Sequence, residues 1–303
     1  MTGTATISVE IELGWGFHDL IDPYETPELS NDGQKEREAL EWFLHLCDEA
    51  RIPVTFDIVG HLLLESCDGT HDGPHENGWF ERDPGTDEES DPLYYFPDVI
   101  DRIDNAEVEH EICTHTFSHI LCDQVSDEVL AWELQRSREL HDEKFISLVP
   151  PRHRKPTMAT LRRNSIDVVR IAREEQIPSN LVMRYVWNYI REHPLHIPEM
   201  VDDVIQTKTS PFMTLTASHL SRGVSEPHPS FQIVPRQLRQ KSHKQFLISA
   251  MEATANKQSH VHYWTHLYNL AHEAQKRPVK AFLKNLGDST VMNVKRMEDL
   301  TIE

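Results

Sequence analysis

Two glutamates at alternate positions, Glu10 and Glu12, and two histidines four residues apart, His115 and His119, are the side chains here best suited to hold a cation jointly. Histidines at i and i+4 share one face of a helical turn, and their imidazole nitrogens can bind one metal. Two imidazoles and one carboxylate leave positions open for water and substrate, as a catalytic metal site requires. Each feature also has a plainer explanation. Alternating glutamates suit the solvated face of an exposed strand, and the chain has 19 histidines, some of which must lie on its surface. Arg152 follows Pro150-Pro151 at the end of an apolar run, where its guanidinium fork could pair with and tune a carboxylate. An exposed arginine in a basic turn with Arg154 and Lys155 is the alternative. His260, His262, Trp264 and His266 alternate on one face of another run, with His266 at its carboxyl end, a suitable place for an acid or base. A competing arrangement, Cys113-x-His115-x3-His119-x2-Cys122, could close a structural zinc tetrahedron.

These groups need a scaffold that gathers them. Ile7, Val9, Ile11 and Leu13 alternate with Ser8, Glu10 and Glu12, which is strand periodicity with both glutamates on one face. Leu40, Phe43, Leu44 and Cys47 follow helix spacing, and Val54–Val59 reads as a second strand. Strand, helix, strand is the start of a parallel sheet. Residues 66–92, rich in Gly, Asp, Glu, His and Pro, read as a long acidic loop. Beyond it the pattern predicts helices near 96–104, 126–143, 157–175, 235–256 and 278–286. Strands are expected near 108–113, 145–149, 203–207, 212–216, 260–266 and 290–294. No linker divides the 303 residues, so a single α/β barrel domain over 1–303 is expected. In a parallel barrel, reactive groups collect at the carboxyl ends of strands, where Glu12, His115, Arg152 and His266 all fall.

The formal net charge is −20, from 50 acidic and 30 basic side chains. A field of that sign repels phosphate backbones, which argues against nucleic-acid binding, and it is best tolerated in high salt. A halophilic protein is therefore expected, an ordinary acidic one being the alternative. Four cysteines make no disulfide framework. The opening MTGTATISVEIEL lacks the marks of a signal peptide, and no apolar run approaches a membrane span, so a cytoplasmic protein is expected. The oligomeric state is not legible.

Taken in order, SVEIELGWG (8–16), VTFDIVGHLL (54–63), HEICTHTFSH (110–119), SLVPPRH (147–153) and HYWTHLYNL (262–270) resemble the motifs of the polysaccharide-deacetylase family, also called the NodB-homology or carbohydrate-esterase-4 group. The closing VMNVKRMEDL (291–300) is similar to the end of one divergent subgroup, whose first motif reads like SLDFELHWG. The resemblance implies a distorted (β/α) barrel with fewer than eight regular repeats and one divalent metal. Zinc is the first expectation, and nickel, cobalt or iron suit the same ligands. It implies Glu12, His115 and His119 as ligands, Glu10 as general base, Arg152 as the group orienting that base, and His266 as general acid. The expected reaction is removal of acetyl groups, N-acetyl first, from a sugar or glycan precursor. An O-acetyl esterase and a catalytically silent carbohydrate-binding relative are the alternatives. Glu10 stands where the family has Asp, which favours the silent relative. His153-Arg154 stand where the subgroup has amide side chains. The acid that normally partners the final histidine is not identified by any motif, Asp202 and Asp203 being candidates.

Overall fold

The computed structural model describes residues 2–141, 145–173, 183, 193, 195–209, 213–214, 226–227 and 229–302. Among the described residues nine strands form one curled sheet: β1 (Gly3–Ile11), β2 (Thr55–Ile58), β3 (Glu111–Thr114), β4 (Ser147–Leu148), β5 (Val168–Ile171), β6 (Glu199–Val201), β7 (Val204–Lys208), β8 (His260–His266) and β9 (Met292–Lys295). Their order is β6-β7-β5-β4-β3-β2-β1-β8, with β9 alongside the start of β1. Every pairing is parallel except β6 with β7. The sheet curls into a distorted (β/α) barrel, and its two ends approach at an antiparallel bridge between His196 and His260.

β1 runs through the centre. Its register sets Glu10 level with Asp57 of β2 and His266 of β8. Ala5, Ile7, Val9 and Ile11 are fully buried on its outer face, in a core with Leu40, Phe43 and Cys47 of α1 (Gln34–Ala50). Full burial of an Ile or Val side chain contributes about 1.5–3 kcal/mol. The inner face is polar. Thr6 Oγ1 lies 2.9 Å from His260 Nε2 and 2.7 Å from His262 Nδ1, and Ser8 Oγ lies 3.0 Å from His262 Nε2. Buried polar groups persist only when hydrogen-bonded, and this ladder shows how a histidine-rich strand lies inside a barrel.

The other helices of six or more residues among the described ones are α2 (Val99–Asp104), α3 (Asp127–Leu140), α4 (Met158–Arg163), α5 (Arg236–Lys257) and α6 (Glu273–Gly287). The helix expected over 157–175 ends at Arg163, Ser165 takes a left-handed φ of 55°, and the chain turns into β5. Ile166, Val168, Val169 and Ile171 are β-branched and buried, and tertiary pairing with β4 and β7 overrides the helical reading. The expected strand near 212–216 lies largely outside the described residues, as do residues 142–143 and 174–175 of two expected helices. No helix or strand occurs between Leu64 and Asp98. Among the described residues no helix is long and apolar enough to cross a membrane.

Candidate active site

β1 ends at Ile11, and a short 3-10 turn, Leu13–Gly16, carries the chain away. Glu12 is thereby left at the rim. Gly16 leaves it room, because a Cβ there would lie 2.5 Å from Glu12 Oε1. His115 and His119 follow β3 in a compact turn with left-handed φ at Thr116 (63°) and His119 (58°). The pair therefore occupies an irregular turn instead of the helical turn expected from its spacing. Its rings still converge, with centroids 5.1 Å apart.

Glu12 Oε2 lies 3.0 Å from His119 Nε2 and 3.6 Å from His115 Nε2. All three side chains are buried. His115 Nδ1 is 2.7 Å from the carbonyl oxygen of Val149 and donates its proton there. That fixes the tautomer, so the Nε2 lone pair faces Glu12. His115 Nε2 is buried without a hydrogen-bond partner. A lone pair directed at a carboxylate is an unfavourable pairing unless a cation or proton lies between them. The Glu12–His115–His119 set therefore fits a divalent metal in donor type, tautomer and spacing.

Glu10 lies one step inside. Its Oε2 is 3.0 Å from His266 Nε2, which is also 3.6 Å from Glu12 Oε1. Its Oε1 is paired with the guanidinium of Arg170. Burial pushes the Glu10 carboxyl up, but the charges of Arg170, His266 and His115 outweigh it and hold the group well below the usual carboxylate range. Glu12 is likewise raised by burial and held far lower by His266, His115 and His119. Burial depresses His119, whereas Glu12, Glu10 and Asp57 raise His115 despite its burial. Asp57, level with Glu10 on β2, is pushed up to about 7 by burial.

Arg170 is the group that sequence reasoning missed. It is fully buried, donates to Ser8 Oγ at 2.7 Å, and lies over the Trp264 ring at 4.9 Å. Arg152, expected beside Glu10, pairs with Asp19 through both guanidinium nitrogens. The turn after Pro151, with left-handed φ at Arg152 (47°) and His153 (57°), directs it toward that residue at the cavity wall. The available signal was an arginine inside a short β-branched run, Val168-Val169-Arg170-Ile171, where every position is buried.

Asp202 and Asp203 do not partner His266. They form the exposed turn that precedes β7, at the amino ends of the parallel strands, whereas His266 lies at the carboxyl end of β8. Asn269 Nδ2 lies 3.3 Å from His266 Nδ1, and Tyr268 stacks on the ring. Cys113 and Cys122 are buried in separate apolar clusters, so the alternative zinc tetrahedron is not assembled. A cavity of about 230 Å³ opens over Glu10, Glu12, His119, Arg152 and His266, walled by Phe17, Trp264 and Tyr268. Aromatic walls around a few convergent polar groups are the make-up of a small-molecule site.

No family model and no curated sequence matches the chain. Solved structures do match. A protein described as a polysaccharide deacetylase from Mycobacterium smegmatis aligns with a TM-score of 0.62 at 11% identity, covering 98% of this chain and 88% of that one. Another so described, from Pseudomonas aeruginosa, gives 0.57 at 12% identity with the same coverages, 98% and 88%. A Puue allantoinase gives 0.58 at 11% identity, again covering 98% and 88%. The chain thus has the NodB-like fold. That fold carries more than one named activity, so it does not by itself fix the reaction.

Proposed function

On this NodB-like barrel we propose a metal-dependent hydrolase that removes acetyl groups, N-acetyl first, from a sugar or glycan precursor. The observation that carries the proposal is the convergence of Glu12 with His115 and His119, one imidazole having its lone pair unsatisfied and its tautomer set by Val149. A divalent ion held there, zinc first, would supply Lewis acidity and lower the pKa of water. The chain's own residues would do the rest. Glu10, kept ionised by Arg170, accepts the proton of the attacking water. Its depressed pKa favours the ionised form at some loss of basicity. His266 then gives a proton to the departing sugar amine, and acetate is released. Arg170 is a positioning residue, fixing one Glu10 oxygen so that the other faces the cavity. Arg152, locked to Asp19, forms part of the cavity wall.

The net charge of −20 supports operation in high salt, and we place the protein in the cytoplasm, acting on a precursor. Acetate release from acetylated chitooligosaccharides and nucleotide-linked acetamido sugars tests the reading. Turnover should vanish with chelator and return with zinc. No turnover across the panel by protein carrying its full metal complement would overturn it in favour of a silent carbohydrate-binding relative.

A further inference from the structure

A second group of metal-type donors lies in the loop region and shares no residue with the Glu12 site: His61, Cys67, His71 and Asp83. Asp83 Oδ2 is 2.7 Å from His71 Nε2 and 3.0 Å from His61 Nε2. Cys67 Sγ is 3.4 Å from both Asp83 oxygens and 3.6 Å from His61 Nε2. A zinc tetrahedron with bonds of about 2.0–2.3 Å has edges of roughly 3.3–3.8 Å. The sulfur edges to His61 and Asp83 already match, the Asp83–His61 and Asp83–His71 edges would have to lengthen by about 0.3 and 0.6 Å, and all four ligand atoms lie within 4.8 Å of one another. The side chains of His61 and Asp83 are wholly buried.

The surroundings orient these atoms as ligands. His61 Nδ1 lies 3.4 Å from the Tyr94 carbonyl oxygen, a position for donating its proton. The Nε2 lone pair then faces the Asp83 carboxylate and the Cys67 sulfur; without a metal, the Cys67 thiol proton and the His71 ring proton serve Asp83, and Tyr95 Oη lies 3.1 Å from Cys67 Sγ. Asp83 Oδ1 accepts the Gly85 N–H at 3.0 Å, and Cys67 Sγ accepts the Gly69 N–H at 3.4 Å. Such outer contacts fix ligand geometry in metal sites.

The location gives the cluster a purpose. The stretch from Leu64 to Asp98 holds no helix or strand. Structureless segments beyond about 12–15 residues are uncommon in compact domains and are usually functional or disordered. The base of the loop is a narrow neck. Ser66 bridges Asp87, the Cys67 N–H donates to Thr86, and a Cβ on Gly85 (φ 61°) would lie 2.8 Å from the Asp68 carbonyl carbon. His61 comes from the turn after β2, Cys67 from the neck, and His71 and Asp83 from the loop itself. The loop in turn braces the His115–His119 turn, since Trp79 Nε1 donates to Ser118 Oγ at 2.8 Å and His75 Nε2 lies 2.7 Å from Glu133.

We propose that His61, Cys67, His71 and Asp83 bind a second divalent metal of the zinc class, fully ligated by protein, which staples the acidic loop to the barrel. Four protein ligands leave no open position, so this ion is structural. The inference is independent of the deacetylase reading.

Cobalt loading of the full chain separates the two sites, because only this one contains a thiolate. Cobalt-loaded protein should show a thiolate-to-cobalt charge-transfer band. Cys67→Ser should lose the band and one equivalent of metal, as should Asp83→Asn the metal. His115→Ala should keep the band and lose the other equivalent. In the unsubstituted chain, zinc should slow proteolytic cleavage within 66–92 relative to chelated protein. Absence of the band in folded, cobalt-loaded, unsubstituted protein would overturn the proposal without any variant needing to fold. Unchanged metal content in Cys67→Ser would do the same. A band with only one metal per chain would support this site and count against the Glu12 site.

Discussion

Replacing Arg170 by Met should lower stability sharply at neutral pH and much less in acid. The guanidinium is fully buried and is the cation paired with the buried Glu10. Breaking a buried ion pair by removing one partner costs about 3–5 kcal/mol, because the other charge is left uncompensated. Unfolding entropy near 2.1 cal/mol/K per residue gives roughly 0.6 kcal/mol/K for a chain of this length, so the melting midpoint should fall by about 5–8 °C. The sign with pH follows from linkage. In the native chain the Glu10 pKa is depressed, so Glu10 stabilises the fold above its unfolded pKa, and this is lost as pH falls through the folded value. Without Arg170, burial dominates and the Glu10 pKa rises. The deficit should therefore be largest at neutral pH and shrink in acid as Glu10 takes up a proton. Activity should follow, the acid limb of the kcat/KM profile moving to higher pH. The assay is calorimetry of Arg170→Met, Glu10→Gln and the double variant, with chelator present so that a bound ion cannot mask the lost charge. A coupling of about 2 kcal/mol or more is expected in the cycle. A midpoint within about a degree of the parent, with an unmoved acid limb, would refute the reasoning.

Other outcomes follow from the same geometry. His115→Ala should remove one equivalent of metal by elemental analysis and abolish acetate release, with only modest loss of thermal stability. Glu10→Asp should retain or raise activity if Glu10 is the base, and an unchanged rate in Glu10→Ala would remove that role. Glu111 on β3 has its carboxyl pushed up from 4.5 to about 7 by burial. A raised carboxyl pKa makes stability fall as pH rises across that window, by about 3 kcal/mol in total. Glu111→Gln should therefore raise the urea midpoint at pH 8 and leave it nearly unchanged at pH 4. The thermal midpoint of the parent should climb between about 0.1 and 2 M KCl as screening relieves its negative charge.

Much of the scaffold was legible because its strands carry strong local patterns. The alternation in 7–13 and 260–266 marks β1 and β8, and the i, i+3, i+4, i+7 spacing of Leu40 to Cys47 marks α1. The strand–turn positions of Glu12, His115 and His266 brought these groups to one end of the sheet. Arg170 was hidden because residues 157–171 mix good helix formers with a short buried strand whose pairing is wholly tertiary. Arg152 was misplaced for a related reason, since a proline turn does not reveal which way its successor points. The His61–Cys67–His71–Asp83 group escaped notice because its members follow no regular spacing and meet only through the folding of a loop.

The central claim is that one cation is shared by Glu12, His115 and His119. Anomalous diffraction from crystals grown with zinc measures this directly. A peak is expected about 2.0–2.2 Å from a Glu12 oxygen, His115 Nε2 and His119 Nε2. Crystals that carry zinc elsewhere but show no peak among these three side chains would contradict the account.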